Sequence, residues 1–184
     1  DVVPKGYVRV FAALLRLIDE GVEVFFFKGN HDIWCYSYFS ELGIRVLEQP
    51  VTVTHGGRKF CLGHGDGLGP GNRGYKLMRA AFHGRFLQRL FSMLHPWFAF
   101  RLGNGWSKRS RLGKSQEYSF GGEEEPLWQF ALEYDRASHV DFFIFGHYHT
   151  QVDRTLPSGA RFMILGDWVS SQSSNWILFD AITG

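Results

Sequence analysis

The chain reads as an α/β protein, a layered βαβ sandwich with an inserted helical cap. Three observations predict this class. Short β-branched and aromatic runs over 22–27, 58–62 and 141–145 each lead into a polar loop that contains histidine. Segments of helical period alternate with those runs, which is the pattern of βαβ units. Residues 68–118 break the alternation with a helical stretch rich in arginine, lysine and aromatic rings. The size suits a single domain with a sizeable core, since 184 residues at 45% hydrophobic and 21% charged exclude a disordered or collagen-like chain.

Each element follows from its own pattern. Phe11, Leu14, Leu15 and Ile18 repeat at helical spacing and stop near Gly21, a helix breaker. Residues 22–27 then form a buried strand, broken only by Glu23, that opens into Lys28-Gly29-Asn30-His31-Asp32. Further strands are expected over 46–53 and 58–62, joined by the His55-Gly56-Gly57 turn, and the second runs into Gly63-His64-Gly65-Asp66. Glycine-rich residues 65–71 lead to the helical insert, whose stripe is Leu87, Leu90, Phe91 and Leu94. Pro96, Gly103 and Gly105 divide that insert into two or three helical pieces. The acidic Glu123–Glu125 cluster sits at the favourable N-terminal end of another helix carrying Leu127, Phe130, Ala131 and Tyr134. A strand over 141–145 leads to Gly146-His147-Tyr148-His149, and two more strands are expected over 161–165 and 176–179.

The formal charge of +2 hides a division. Residues 67–117 hold ten basic side chains against the single carboxylate of Glu117, a charge of +9 that leaves −7 on the remainder. Near-neutral charge overall, an acidic body and no recognised nucleic-acid module argue against a nucleic-acid partner. Cys35 and Cys61 lack metal-finger spacing and the density of a disulfide scaffold, so both are expected to be reduced, structural thiols. No apolar run approaches the roughly 20 residues needed to span a bilayer, and a cytoplasmic location is the expectation.

Strand ends in a layered α/β fold converge on one crevice, so Asn30, His31, His64, His147 and His149 can meet there. Imidazole nitrogens and an amide oxygen are neutral metal ligands, and a two-metal centre both activates a water and neutralises phosphate oxygens. Taken singly, Asn30 and His64 also suit turn-stabilising or surface roles. Asp167, in Gly166-Asp167-Trp168, is read as a capping or turn residue rather than a site residue.

In their order, Gly29-Asn30-His31-Asp32, Gly63-His64-Gly65-Asp66 and Gly146-His147-Tyr148-His149 resemble the later signature blocks of the calcineurin-like metallophosphoesterases. The resemblance implies a metallophosphoesterase domain with two divalent ions, Mn2+ by preference. It implies Asn30, His64 and His147 as ligands of one ion and His149 as a ligand of the other. His31 is similar to the histidine that contacts the scissile phosphate or assists leaving-group protonation, with Asp32 as its orienting partner. The family's earlier Asp-x-His and Gly-Asp-x-x-Asp blocks do not occur upstream of Asn30. The expectation is therefore a partial domain over 1–184 that lacks an N-terminal βαβ portion.

Gly71-Asn72-Arg73-Gly74-Tyr75-Lys76, the helical insert and Trp106-Ser107-Lys108-Arg109-Ser110-Arg111 more narrowly resemble the UDP-2,3-diacylglucosamine diphosphatase branch. This implies hydrolysis of a UDP-linked acylated sugar to UMP and 2,3-diacylglucosamine 1-phosphate in lipid A biosynthesis. It also implies peripheral attachment to the inner membrane. Asn30, Arg73, Tyr75, Ser107, Lys108, Arg109, Ser110, Arg111 and Lys114 are the implied contacts to nucleotide or phosphates. The insert itself supports an amphiphilic anion: Phe82, Phe86, Trp97, Phe98, Phe100 and Trp106 join its leucine stripe beside dense positive charge. That combination suits acyl chains and an anionic membrane surface. The alternatives are a phosphoesterase acting on a soluble nucleotide or another phosphoester, and a metal-poor scaffold.

Overall fold

Two sheets organise the chain. The computed structural model describes residues 6–30, 32, 35–71, 73–82, 84–95, 97–99, 101–103, 105, 120–168 and 175–181. Two compact units emerge, one from residues 1–48 with 77–115 and one from 49–76 with 116–184. The architecture is mixed α/β, with a five-stranded mixed sheet and helices.

In the first unit, α1 (Val8–Asp19) half-buries Phe11, Leu14 and Ile18, while Leu15 on the flank of that stripe is exposed. The helix closes as Gly21 N donates to Ile18 O and Val22 N to Leu17 O. That second bond commits the backbone of Val22 to the helix end, so the strand expected from residue 22 is confined to β1 (Phe25–Phe27). A short helix, α2 (Tyr38–Glu41), crosses to β2 (Arg45–Leu47), which pairs parallel with β1 from Phe25↔Arg45 to Phe27↔Leu47. Phe39 packs at 4.3 Å from Phe26 and 6.1 Å from Phe11, tying the crossover to the strand and to α1. Asn30 and Asp32 follow the C-terminal end of β1, where Asp32 N donates to Gly29 O at 3.1 Å.

The strand expected over 46–53 is in fact two, β2 and β3 (Val51–His55), in different sheets. Pro50 stands between them and has no N–H for a ladder. Among the described residues, the stretch expected as the insert contains α3 (Arg73–Phe82) and α4 (Arg85–Ser92), and the break between them, at extended Gly84, lies ahead of the breaks expected at Pro96, Gly103 and Gly105. Leu87, Leu90 and Leu94 of its stripe are exposed, as are Phe86 at 77% and Met93 at 81%. Only Phe91 of the stripe is half-buried, so this face does not pack as a core stripe does.

In the second unit the sheet order is β3-β4-β5-β7-β6, with β4 (Arg58–Leu62), β5 (Phe142–Phe145) and β7 (Arg161–Ile164) mutually parallel. β3 pairs antiparallel with β4 through a two-residue turn in which Gly56 and Gly57 both take positive φ, the backbone such hairpins need. β6 (Val152–Thr155) is an edge strand that its polar Asp153 and Arg154 conceal from a hydrophobicity reading; Asp153 instead pairs with Arg161 of β7 at 2.6 Å. That guanidinium holds the Asp153 carboxyl below its usual range.

One face of the sheet buries Cys61, Phe143, Phe145, Phe162 and Ile164 against Leu127, Trp128 and Ala131 of α5 (Pro126–Ser138). The other carries Phe60 and Phe142, stacked at 5.0 Å, with the ring of Phe179 at 4.9 Å from Phe60. Residues 176–179, expected as a strand, form none among the described residues. The segment is held by the Phe179 ring on the sheet face, which needs no ladder, and Trp176, Ile177 and Leu178 stay exposed.

The loop after β4 is fixed by a buried carboxylate. Asp66 is 2% exposed; Gln49 Nε2 donates to its Oδ1 at 2.7 Å and its carbonyl at 2.9 Å, and Tyr75 Oη donates to Oδ2 at 3.3 Å. Gln49 Oε1 in turn accepts from Gly65 N. Removing a partner of a buried polar group costs about 1–3 kcal/mol, so Gln49→Ala is expected to lose about that much stability in urea unfolding; a loss below about 0.5 kcal/mol would contradict this role. Burial pushes the Cys61 thiol up to about 12, so little thiolate exists near pH 8. Iodoacetamide at that pH is expected to leave Cys61 unmodified in the native protein and to label it once urea unfolds the chain.

Candidate metal centre

Three neighbouring parallel strands end on one edge of the second unit's sheet, and each carries a polar loop there. β4 leads to His64, β5 to His147 and His149, and β7 to Asp167. The loops are stitched together by backbone. Gly63 N donates to Ile144 O at 3.3 Å, Gly146 N to His64 O at 3.0 Å, and Leu165 N to Phe145 O at 2.7 Å.

His64 and His147 meet edge to face, with ring centroids 5.3 Å apart. His149 Nδ1 lies 2.9 Å from Asp167 Oδ2. Both His147 and His149 take left-handed backbone, at φ 73° and 56°. Such conformations cost non-glycine residues on the order of 1–3 kcal/mol and persist where the surroundings impose them, commonly at functional sites. Tyr148 between them turns inward and hydrogen-bonds Glu125; burial first, and then that carboxylate, raise its pKa. Glu125 precedes α5 and also accepts from Gly121 N at 3.4 Å, so the helix start is tied to the histidine turn.

Two of these histidines have the separation that a shared divalent ion requires. With metal–nitrogen distances of about 2.0–2.1 Å, two imidazoles sharing an ion keep their ring centres about 5 Å apart, close to the separation of His64 and His147. His149 backed by a carboxylate is the arrangement that metal-ligating histidines usually show. Among the described residues no group of three or more His, Cys, Asp or Glu side chains could hold an ion by itself.

Asn30 and Asp32 sit after β1 in the first unit, and Asp32 is exposed. Arg73 is exposed in the first turn of α3, while Tyr75 is half-buried on Asp66. His31 and Ser107, Lys108, Arg109, Ser110, Arg111 and Lys114 lie outside the described residues. Asp167, read from sequence as a cap or turn, instead places its carboxylate on His149. Its signal was available: Gly166-Asp167 follows a strand just as the other polar loops do. Gln49 carries no comparable mark, because its contacts reach across 16 and 17 residues.

No protein-family model matches the chain. It is similar to a UDP-2,3-diacylglucosamine hydrolase of Porphyromonas gingivalis, 37% identical over 94% of this chain and 71% of that protein. A protein of the same description from Hamiltonella defensa is 30% identical over 96% of this chain and 72% of its own length. One from Salmonella arizonae is 32% identical over 85% and 66%. Together with the three histidine-bearing blocks, these likenesses place the chain: it belongs to the calcineurin-like metallophosphoesterases, a superfamily of divalent-metal hydrolases.

Proposed function

We propose that the protein hydrolyses the pyrophosphate bond of UDP-2,3-diacylglucosamine, giving UMP and 2,3-diacylglucosamine 1-phosphate for lipid A synthesis. The observation that carries this reading is the His64–His147 pair beside His149–Asp167 at three parallel strand ends, in a chain similar to hydrolases of that description. His64 and His147 would hold one ion and His149 another, with Mn2+ the preferred metal. Asn30 keeps the ligand and phosphate-side role that its block implies. When bound, such ions lower the pKa of a water and offset phosphate charge.

The chain's own groups supply binding and placement. His31, oriented by Asp32, steadies charge on the phosphate oxygens as water attacks phosphorus in line, with no covalent protein intermediate. Arg73, Tyr75 and the Ser107, Lys108, Arg109, Ser110, Arg111 and Lys114 stretch take the nucleotide and phosphates. The helical insert over 68–118 takes the acyl chains. Its exposed Leu77, Phe86, Leu90, Met93, Trp97 and Leu102 support this, with Arg101 lying 5.3 Å over the Trp97 ring. Such a face also suits an anionic membrane surface, and no helix among the described residues is long and apolar enough to cross a bilayer. Peripheral attachment at the cytoplasmic side of the inner membrane follows as part of the proposal.

The full-length protein with Mn2+ is expected to release UMP from UDP-2,3-diacylglucosamine, and His147→Ala to lower kcat at least about 100-fold. Faster turnover of soluble nucleotide diesters than of the acylated sugar would overturn the substrate assignment. Because each buried methylene contributes about 0.8 kcal/mol, the double change Phe86→Ser and Met93→Ser is expected to raise KM for the lipid at least about tenfold with kcat retained. An unchanged KM would remove the insert from the binding site.

A further inference from the structure

Asp167 places its carboxylate 2.9 Å from His149 Nδ1, and its own position is unusually well determined. Asp167 and His149 leave adjacent parallel strands whose ladder continues past the strand ends through Leu165 N and Phe145 O. Asn175, only 5% exposed, grips the Asp167 turn from the other side. Its side-chain amide donates to Asp167 O, and its backbone carbonyl accepts from Trp168 Nε1 at 3.1 Å. The approach is so close that a Cβ on Gly166 would stand 2.5 Å from Asn175 Oδ1, so the Asn175 side chain would have to shift. A side chain there would displace the clamp. His149, meanwhile, holds a left-handed backbone and exposes about half its side chain.

We propose that Asp167, clamped by Asn175 across Gly166, is the positioning residue for His149. Its carboxylate accepts a hydrogen bond from Nδ1–H, which leaves the Nε2 lone pair as the group offered to a metal ion. The inference rests on the reading of His149 as a ligand and adds the device that sets its tautomer and angle. Residues that hold a metal-ligating histidine through its second nitrogen change metal affinity about 10–100-fold when lost.

The test compares four variants of the full-length protein by Mn2+ titration followed by electron paramagnetic resonance, and by imidazole nitrogen shifts of His149 in metal-free protein. Asp167→Ala is expected to weaken Mn2+ binding about 10–100-fold and to turn the single Nδ1–H tautomer into a mixture. Gly166→Ala is expected to weaken it in the same sense while leaving both side chains of the pair intact. Asp167→Asn retains an acceptor oxygen and is expected to recover most of the affinity. His149→Ala reports the ligand role itself. If His149→Ala weakens Mn2+ binding but Asp167→Ala and Gly166→Ala bind as the parent does, the clamp is refuted and the ligand reading stands. If His149→Ala also binds as the parent does, both fall.

Discussion

The parallel pairing of β4, β5 and β7 is the constraint on which the rest of the second unit depends. Parallel neighbours end at the same edge, so the loops that follow them are delivered side by side whatever their sequence separation. His64 and His147 are brought to a ring separation of 5.3 Å in this way. Reversing one strand would send its histidine to the opposite edge. The ladder is in turn held by burial on both faces: Phe143 and Phe145 lie against α5, and Phe142 lies under Phe179. This accounts for the almost continuous aromatic run of β5, which a sheet open to water on one face would not show.

Carboxylates do the local work of fixing those loops. Asp66 ties the β4 loop to Gln49 and to Tyr75 of α3, Glu125 ties the start of α5 to Tyr148, and Asp135 accepts from Val140 N at 2.8 Å where α5 gives way to β5. Each is buried or nearly so and each is met by donors, which is the condition under which a buried charge or polar group is tolerated. Such groups contribute little net stability and much geometric definition, because any displacement leaves a donor or an oxygen unsatisfied. The left-handed turns at His147 and His149 are maintained within that frame.

The two kinds of apolar surface on this chain serve opposite ends. Around Phe143 and Phe162, both fully buried, aromatic rings interlock at centroid distances near 5–6 Å and are excluded from water. Along α4 the same residue types stand exposed beside arginine, within the window that carries +9 of charge. Exposed Phe86 and Met93 contribute little to folding, and an apolar patch of this kind commonly marks a contact surface. On the proposed reading, the acylated, negatively charged substrate meets both the rings and the cations.

Much of the candidate site was legible in the sequence because its signals are local. A strand followed by glycine, histidine and a polar residue can be recognised from a few consecutive positions, and this identified the loops at Asn30, His64 and His147 together with the helical period of α1 and α5. Strand limits were less legible where a neighbouring element claimed the backbone, as the end of α1 does at Val22 and as Pro50 does between β2 and β3. β6 escaped notice because Asp153 and Arg154 give it no apolar alternation. Asp167 is the sharpest case. Its type and place after a strand were plain, yet its partner His149 lies 18 residues away, as Gln49 lies 17 from Asp66. Separations of that length carry no periodicity. The sequence by itself therefore determined which chemical groups stand at the strand ends, and only the order and direction of the strands in the tertiary structure decided which of them touch, because pairing across a sheet depends on neighbours in space that local spacing does not encode.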